Sequence, residues 1–343
     1  MGKNTHTAAA KAADLYEPAQ TSAWAQWWAQ RASRLLVLAV LALAAGVAFM
    51  TVGVEADWGF VLQHRGTKVL TMLVVACALG MSTVVFQTIT HNTILTPAVM
   101  GLDALYLFLQ ALMVLVLGSV GVVGLGDIPK FGLEIALMVV LSVALMRWLF
   151  TGNTSSLHLM LLVGMVLGIL FRSLTSFAMR LIDPNEFATL QDRMFANFNT
   201  IHTQLLWPSV VLLALGAVYF WRQRHVLDVL ALGRDAAVNL GISYQSQVLR
   251  LLIVMCAMVA LSTALVGPVT FFGLLVANMA YQWMGTRRHQ WVLPASVLWG
   301  CILLLGGQVV LERVLGFNSA LSVVVEFVGG LVFIWLLMRK GKQ

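Results

Sequence analysis

The stretch VLALGRDAAVNLGISY, residues 229–244, lies between two long apolar runs and is rich in small and polar residues. On a helix its apolar members share one stripe and its polar members face water. The stripe consists of Leu230, Leu232, Ala236, Ala237 and Leu240, and the polar side consists of Arg234, Asp235 and Asn239. Gly233 and Gly241 bracket about two helical turns, and Gly241 is typical of a helix C-terminus. The pattern predicts a segment that binds a partner outside lipid; a loop helix lying on the membrane surface is the alternative.

The composition of the rest of the chain indicates a membrane protein. Of its 343 residues, 60% are hydrophobic and only 10% are charged, whereas soluble domains carry about 25% charged residues. The net charge of +7 comes from basic residues spread along the chain, which does not indicate nucleic-acid binding. The expected solvent for most of the chain is therefore the lipid bilayer.

Ten apolar runs are long enough, or nearly so, to cross a bilayer. They cover residues 34–53, 68–88, 98–118, 131–150, 157–181, 203–222, 248–266, 269–285, 292–313 and 319–338. Asp103 weakens the third run, and Asn278 and Gln282 weaken the short eighth run. We predict an all-α membrane protein, a polytopic bundle of about ten transmembrane helices at residues 34–340.

An even number of spans places both termini on the same side of the membrane. If that side is the cytosol, its loops and flanks hold 14 of the 21 basic residues, as the positive-inside rule requires. The 229–244 stretch then lies in the cytosol. Residues 1–33 form a cytosolic tail in which Trp24, Trp27 and Trp28 predict an interfacial helix.

The sequence lacks the motifs of the common enzyme classes. It has no phosphate-binding P-loop, no HExxH zinc motif and no G-x-S-x-G nucleophile elbow. The seven histidines are scattered, and Cys77, Cys256 and Cys301 each lie within an apolar run. We therefore predict no catalytic residue, no metal site and no cofactor bound by this chain; an intramembrane enzyme is the weaker alternative.

Charges inside a membrane are costly and usually functional. Arg172 and Arg180 lie eight residues apart on the fifth span, nearly on one face, and Glu326 lies within the tenth span. They predict a basic wall along a pathway for anionic cargo, which Met165 could also line. A structural ion pair between Arg172 and Glu326, or snorkelling of Arg180 toward water, is the alternative.

Three motifs in register resemble the FecCD/BtuC-type ABC importer permeases, which import iron–siderophores and vitamin B12. LALGRDAAVNLGIS (230–243) resembles their L-G-x-x-x-A-x-x-L-G segment. The run from His64 to Gly101 is similar to their R-x-P-R, G-x-x-x-Q and N-P-L-x-x-P-x-x-L-G motifs, and ALVGPVTFFGLLVANMA (264–280) to G-P-I-x-F-I-G-L-x-x-P-H. The resemblance covers residues 34–340.

Several positions depart from the family pattern. Thr67 and Lys68 replace the proline and second arginine of R-x-P-R, and Asn92-Thr93-Ile94 replaces N-P-L. Ala277-Asn278 replaces P-H, and Asp103-Ala104 replaces a common Gly-Ala. These changes resemble the branch of iron-chelate permeases that pair with a second, different permease.

The resemblance implies the fold and the partners. The fold is a type II ABC importer transmembrane domain with a coupling helix at about residues 230–241. The coupling residues are Leu232, Gly233, Arg234, Asp235, Ala236, Ala237, Leu240 and Gly241. The partners are a cytosolic ATPase dimer that holds ATP and magnesium, a second permease subunit of the same or different sequence, and a periplasmic siderophore-binding protein.

The family's paired basic residues correspond to Arg65 and Lys68. With Arg313, they are expected to meet acidic residues of the binding protein at the outer face of the bacterial inner membrane; ordinary interfacial snorkelling is the alternative. The loop at residues 151–156 is the candidate inner gate. Cobalamin, haem or another metal chelate are alternative cargoes, and an ion-driven secondary transporter is the rival transport class.

Overall fold

The computed structural model describes residues 30–53, 58–150, 157–184, 186–187, 196–198, 203–313 and 321–340. The predicted tryptophan-rich helix of the tail and the predicted gate at residues 151–156 lie outside these described residues. Within them the chain is helical, and a 3₁₀ turn at Pro97–Met100 precedes α3. The helices are α1 Arg31–Thr51, α2 Trp58–Thr90, α3 Leu102–Gly124, α4 Asp127–Phe150, α5 Leu157–Leu181, α6 Thr203–Arg222, α7 Arg224–Leu230, α8 Arg234–Asn239, α9 Tyr244–Val266, α10 Phe272–Met284, α11 His289–Arg313 and α12 Leu321–Lys340.

Each of the ten predicted spans corresponds to one helix, and α7 and α8 form the insert between the sixth and seventh. Among the residues that the structure describes, seven helices are long and apolar enough to cross a membrane. Helix α3 is kinked at Gly118, whose φ of 69° is not helical, so its apolar part shortens to Leu102–Gly118. Helix α10 has 13 residues and extends only about 20 Å, less than the thickness of a bilayer core.

The helices differ in how much of their surface is covered by protein. α2 and α9 are largely buried, whereas less than a third of the residues in α1, α4, α5 and α6 are buried. The exposed residues of these outer helices include large apolar side chains such as Leu43, Ile169 and Leu215. An apolar surface of this extent is stable only against lipid or another apolar chain. The protein core therefore centres on α2, α9 and their neighbours.

Small residues let α2 and α11 approach closely. A Cβ added at Gly80 would lie 3.2 Å from the Ser296 carbonyl oxygen, and one at Gly300 would lie 2.9 Å from Ala76 Cβ. Ala76 and Gly80 are four residues apart on α2, as are Ser296 and Gly300 on α11. This is the small-residue packing by which membrane helices gain van der Waals contact.

Non-helical backbone inside a membrane bundle needs hydrogen-bond partners from the protein. Between α2 and α3 the chain leaves the helix at residues 91–96, where His91 adopts a φ of 52°. The Thr93 carbonyl accepts hydrogen bonds from Gln87 Nε2 (2.9 Å) and Asn278 Nδ2 (3.0 Å). Asn278, which weakens the eighth apolar run, therefore satisfies this irregular segment.

The turn before α3 packs directly against α5. Gly101 has a φ of 79°, and a Cβ there would lie 2.9 Å from Gly168 Cα. One turn earlier on α5, a Cβ at Gly164 would lie 3.0 Å from Met100 Cα. The GMVLG sequence at residues 164–168 therefore forms a flat surface that holds the turn against α5.

We expect Gly101→Ala to destabilise the protein by about 1–3 kcal/mol. Alanine is strained at the positive φ of this position, and its Cβ would crowd the backbone of Gly168. Gly132→Ala is the matched control, since Gly132 lies within α4 and a Cβ there meets no atom within 4 Å. Thermal unfolding of the detergent-purified variants measures both effects. Equal midpoints for Gly101→Ala and Gly132→Ala would contradict the close contact with α5.

Candidate functional site

The connection between α6 and α9 is folded as two short helices, α7 and α8. Gly233 separates them with a φ of 105°, a conformation that side chains other than glycine rarely adopt. A Cβ at Gly233 would meet no atom within 4 Å. Glycine is therefore needed at this position for its backbone conformation and not for lack of space.

Helix α8 ends in a Schellman motif. The Gly241 N–H donates to the Val238 carbonyl (2.9 Å), and the Ile242 N–H donates to the Ala237 carbonyl (3.0 Å). Gly241 has a φ of 83°. The predicted role of Gly241 as the helix stop is confirmed.

The apolar side chains of this connection point in two directions. Leu230 and Ala237 are fully buried, whereas Leu232, Val238 and Leu240 are 66%, 51% and 62% exposed. The single apolar stripe predicted from the sequence is therefore wrong, because the break at Gly233 removes residues 230–232 from the helical period of α8. We call Leu232, Val238 and Leu240 the exposed leucine–valine patch.

Arg234 and Asp235 are exposed beside this patch, and Ala236 is half-buried. Asp235 lies in the first turn of α8, where a carboxylate interacts favourably with the helix dipole. The predicted coupling residues thus occupy one compact segment with apolar and charged groups available on its surface.

One histidine anchors this segment to the membrane helices. The Asp228 Oδ1 atom on α7 accepts hydrogen bonds from the His289 backbone N–H (2.8 Å) and lies 2.7 Å from His289 Nδ1. His289 begins α11 and is 1% exposed. α7 is therefore held to the start of α11 by two hydrogen bonds to one carboxylate.

The other ring nitrogen of His289 reaches α2. His289 Nε2 lies 2.7 Å from Thr88 Oγ1, and that hydroxyl also lies within hydrogen-bond distance of the Val84 carbonyl (2.8 Å) and the Tyr281 side chain. The Thr88 hydroxyl therefore joins His289 to α2 and to Tyr281 of α10.

The surroundings of Asp228 favour its ionised form. Its burial opposes ionisation, but the hydrogen bonds from the His289 ring and backbone outweigh burial and hold the pKa of Asp228 below its ordinary value. The sequence analysis did not single out Asp228 or His289. The available signal was a histidine at the start of an apolar run and an aspartate just before the polar insert.

The predicted docking residues lie together where α1 ends. Arg65 Nη1 donates to the Phe49 carbonyl (2.7 Å) and the Val52 carbonyl (3.1 Å). Arg313 Nη2 donates to the carbonyls of Val52 and Gly53, each at 2.8 Å. Both arginines therefore cap the C-terminal end of α1, where cations interact favourably with free carbonyls.

Lys68 differs from the two arginines in exposure. It is 8% exposed and lies within electrostatic range of Glu312, the neighbour of Arg313. Arg313 is exposed and Arg65 is half-buried. A surface contact with another protein is thus directly open to Arg313, partly to Arg65 and least to Lys68.

Three of the predicted pathway residues lie on α5 and one on α12. Met165, Arg172 and Arg180 are exposed, and Glu326 is half-buried. Arg172 and Glu326 both lie within electrostatic range of the Asp103 carboxylate. The structure therefore brings Arg172 and Glu326 toward a third charge, Asp103. In the sequence, Asp103 weakened an apolar run and departed from the family pattern.

Within the described residues, no group of three or more histidine, cysteine, aspartate or glutamate side chains is arranged to hold a metal ion. Cys256 and Cys301 are buried free thiols, and Cys77 is a half-buried one.

We expect Asp228→Asn to lower the unfolding midpoint at neutral pH because it removes a charged hydrogen-bond acceptor from His289. The pKa of an unfolded aspartate is about 3.9, and the folded-state pKa of Asp228 lies below its ordinary value. The stabilisation is therefore complete above that unfolded pKa and is lost as the pH falls through the folded-state pKa.

Thermal unfolding of wild type and Asp228→Asn across neutral and acidic pH checks this expectation. Asp235→Asn, a change of an exposed carboxylate in the neighbouring helix, is the matched control. A wild-type advantage that stays constant below the pKa of a free aspartate would rule out the proposed ion contact.

Comparison with known proteins identifies relatives along nearly the whole chain. The FecCD transport family matches residues 34–339. The petrobactin import system permease protein YclO of Bacillus subtilis (strain 168) is 42% identical over 308 residues, which cover 88% of this chain and 98% of YclO. FatC, a petrobactin import permease of Bacillus anthracis, is 32% identical over 82% of this chain and 79% of its own length. The vitamin B12 import permease BtuC of Citrobacter koseri is 28% identical over 91% of this chain and 94% of its own length.

Solved structures share the fold. A chain described as an inward-facing metal-chelate type ABC transporter superposes with a TM-score of 0.80 at 22% identity, covering 90% of this chain and 99% of that one. PsaBC from Streptococcus pneumoniae superposes with a TM-score of 0.57 at 15% identity, covering 80% and 91% of the two chains.

Proposed function

The chain belongs to the FecCD transport family, and we propose that it is the membrane-spanning subunit of an ABC importer that carries a ferric siderophore inward. The resemblance inferred from the three motifs is confirmed, and the fold is that of a type II ABC importer permease. The protein is a multi-pass membrane protein. We place it in the bacterial inner membrane with both termini in the cytosol, as the distribution of basic residues indicates.

The observation that carries the proposal is the folded α7–α8 segment with its exposed leucine–valine patch. Two leucines and a valine are exposed to water on this capped segment, which is unfavourable. Burying them in a groove of a partner protein would lower the free energy. Asp228 and His289 join this segment to α11, and Thr88 extends the contact to α2. Pressure on the patch from a cytosolic ATPase would therefore reach two central helices directly.

The remaining parts of the machine are supplied by other chains. In this proposal a cytosolic ATPase dimer holds ATP and magnesium, and this chain hydrolyses nothing. A second permease subunit completes the pathway, and a periplasmic binding protein delivers the cargo. The exposed face of α5 with Met165, Arg172 and Arg180 supports a pathway built between two permease subunits.

The relatives favour a siderophore over cobalamin as cargo. The two petrobactin import permeases are 42% and 32% identical to this chain, against 28% for the vitamin B12 permease. Cobalamin remains the second candidate because that relative covers 91% of the chain. The deciding experiment is ATP-dependent uptake of ferric petrobactin and of cyanocobalamin by proteoliposomes that hold the complete importer.

The same preparation separates an ATP-driven importer from an ion-driven transporter. We expect uptake to require the ATPase, ATP and the binding protein, and to be absent with a proton or sodium gradient alone. Uptake by this chain without the ATPase would overturn the proposed function.

We expect Leu232→Asp combined with Leu240→Asp to abolish co-purification of the ATPase while the permease remains in the membrane. Each aspartate places a charge where apolar surface should be buried on docking. Gln30→Asp is the control for an added aspartate, because it places one negative charge at an exposed helix N-cap, where aspartate is favourable. Wild-type amounts of ATPase on the double variant would show that the patch is not the docking surface.

We expect Arg172→Ala to reduce the initial rate of ferric siderophore uptake more than Arg180→Ala. Arg172 lies within electrostatic range of Asp103, whereas Arg180 is in the last turn of α5. Both variants replace an exposed arginine of α5 with alanine, so each is a control for the other. Equal, undiminished uptake would remove the basic wall from the transport pathway.

For the outer face, we propose that Arg65, Lys68 and Arg313 contribute positive charge to the docking of the binding protein. Their placement around the end of α1 supports a shared basic surface, and rim charges act mainly on association rate and orientation. The hydrogen bonds of Arg65 and Arg313 to α1 hold this surface in a fixed shape.

A further inference from the structure

A small polar cavity lies where five segments of the protein meet. Its volume is about 20 Å³, and its walls come from α2, the 3₁₀ turn, α3, α9 and the residues that lead into α10. Four threonines, Thr83, Thr96, Thr263 and Thr270, share the lining with the carboxylate of Asp103. Four threonines and an aspartate therefore line one cavity in a strongly apolar chain. The Thr263 hydroxyl donates to the Val259 carbonyl of its own helix (2.9 Å), which leaves its oxygen lone pairs available.

Asp103 is only partly satisfied in this cavity. Its side chain is hydrogen-bonded to Thr270, and the residue is 8% exposed. Its Oδ2 atom is buried and has no hydrogen-bond partner within the described part of the chain. A buried carboxylate oxygen without a partner is strongly unfavourable, so the cavity needs an occupant that faces Oδ2.

The charges around the cavity favour a cation over a neutral occupant. Arg172 and Glu326 lie within electrostatic range of Asp103 and carry opposite charges, so Glu326 opposes the compensation that Arg172 provides and part of the negative charge remains. A water molecule would fill the lone pairs of Oδ2 but would leave the charge in place. A monovalent cation would coordinate Oδ2 and would also neutralise the charge.

The ligands and the volume select the kind of cation. Carboxylate and hydroxyl oxygens are hard ligands, which suit alkali and alkaline-earth ions better than thiophilic metals. A single carboxylate is few for a calcium site, and magnesium retains several waters that this cavity cannot hold. A volume near 20 Å³ accommodates about one water-sized particle, which a dehydrated sodium ion fits.

We propose that Asp103, with Thr83, Thr96, Thr263 and Thr270, forms a resident sodium site inside the permease. The ion bonds α3 to α2, α9 and the 3₁₀ turn through oxygen ligands on each. Because the turn also packs on α5 through Gly101 and Gly168, the site sets the position of the α5 helix that bears Arg172. The sodium ion is a fixed structural component and is independent of the cargo and of the ATPase.

Sodium binding to the detergent-purified permease tests the site directly. We expect radioactive sodium to bind at one ion per chain in equilibrium dialysis. The unfolding midpoint should rise saturably with sodium chloride in a choline chloride buffer of constant ionic strength, since a ligand of the folded state stabilises it by mass action.

Three variants distinguish the site from general salt effects. Asp103→Asn should lose both the bound sodium and the sodium-specific rise, and Thr83→Val should weaken both while keeping the carboxylate. Asp183→Asn, which removes an exposed carboxylate after α5, should behave as wild type.

Identical wild-type midpoints in sodium and choline chloride, or no bound sodium, would overturn the proposal and assign the cavity to a water molecule. A sodium-specific rise that persists in Asp103→Asn would also overturn it. These measurements use the permease alone, so their failure is separate from failure of the ATPase docking experiment.

Discussion

The contact on which this architecture depends is the hydrogen-bonded chain from Asp228 through His289 to Thr88. The α7–α8 segment packs Leu227, Leu230 and Ala237 into the protein core. Its polar attachment comes from one carboxylate on α7 that accepts from the His289 backbone N–H and contacts the His289 ring. Because His289 is buried and reaches Thr88 on α2, displacement of the segment must move central helices or break several short hydrogen bonds at once.

Most of the fold follows from hydropathy, because lipid imposes one requirement on every span. All ten apolar runs correspond to helices, but some helices begin or end beyond the apolar run. Helix α2 begins at Trp58, ten residues before the predicted start, since hydrogen-bonded turns continue through the polar residues near His64 and Arg65. The short α10 agrees with the short eighth run, whereas the kink at Gly118 was not predicted from the local pattern.

The candidate site was only partly predictable for the same reason. The two glycines and the polar residues of 229–244 marked the segment, since backbone conformation and amphipathicity are local properties. Which apolar residues of the segment are buried and which are exposed could not be predicted, because this depends on the φ of Gly233. The pairing of Asp228 with His289 spans 61 residues of sequence, and only the folded chain brings these groups together. Asp103 was visible as an unusual charge, but its threonine neighbours come from distant segments.

The exposed leucine–valine patch also bears on how the cell must manufacture this protein. A permease made without the proposed ATPase would expose apolar leucine side chains to water, where quality-control proteases act on newly inserted chains. Synthesis of the two subunits in matched amounts, and early assembly, would shield that surface from degradation. If the ATPase covers this patch as proposed, the lifetime of the chain in vivo would depend partly on the abundance of the ATPase.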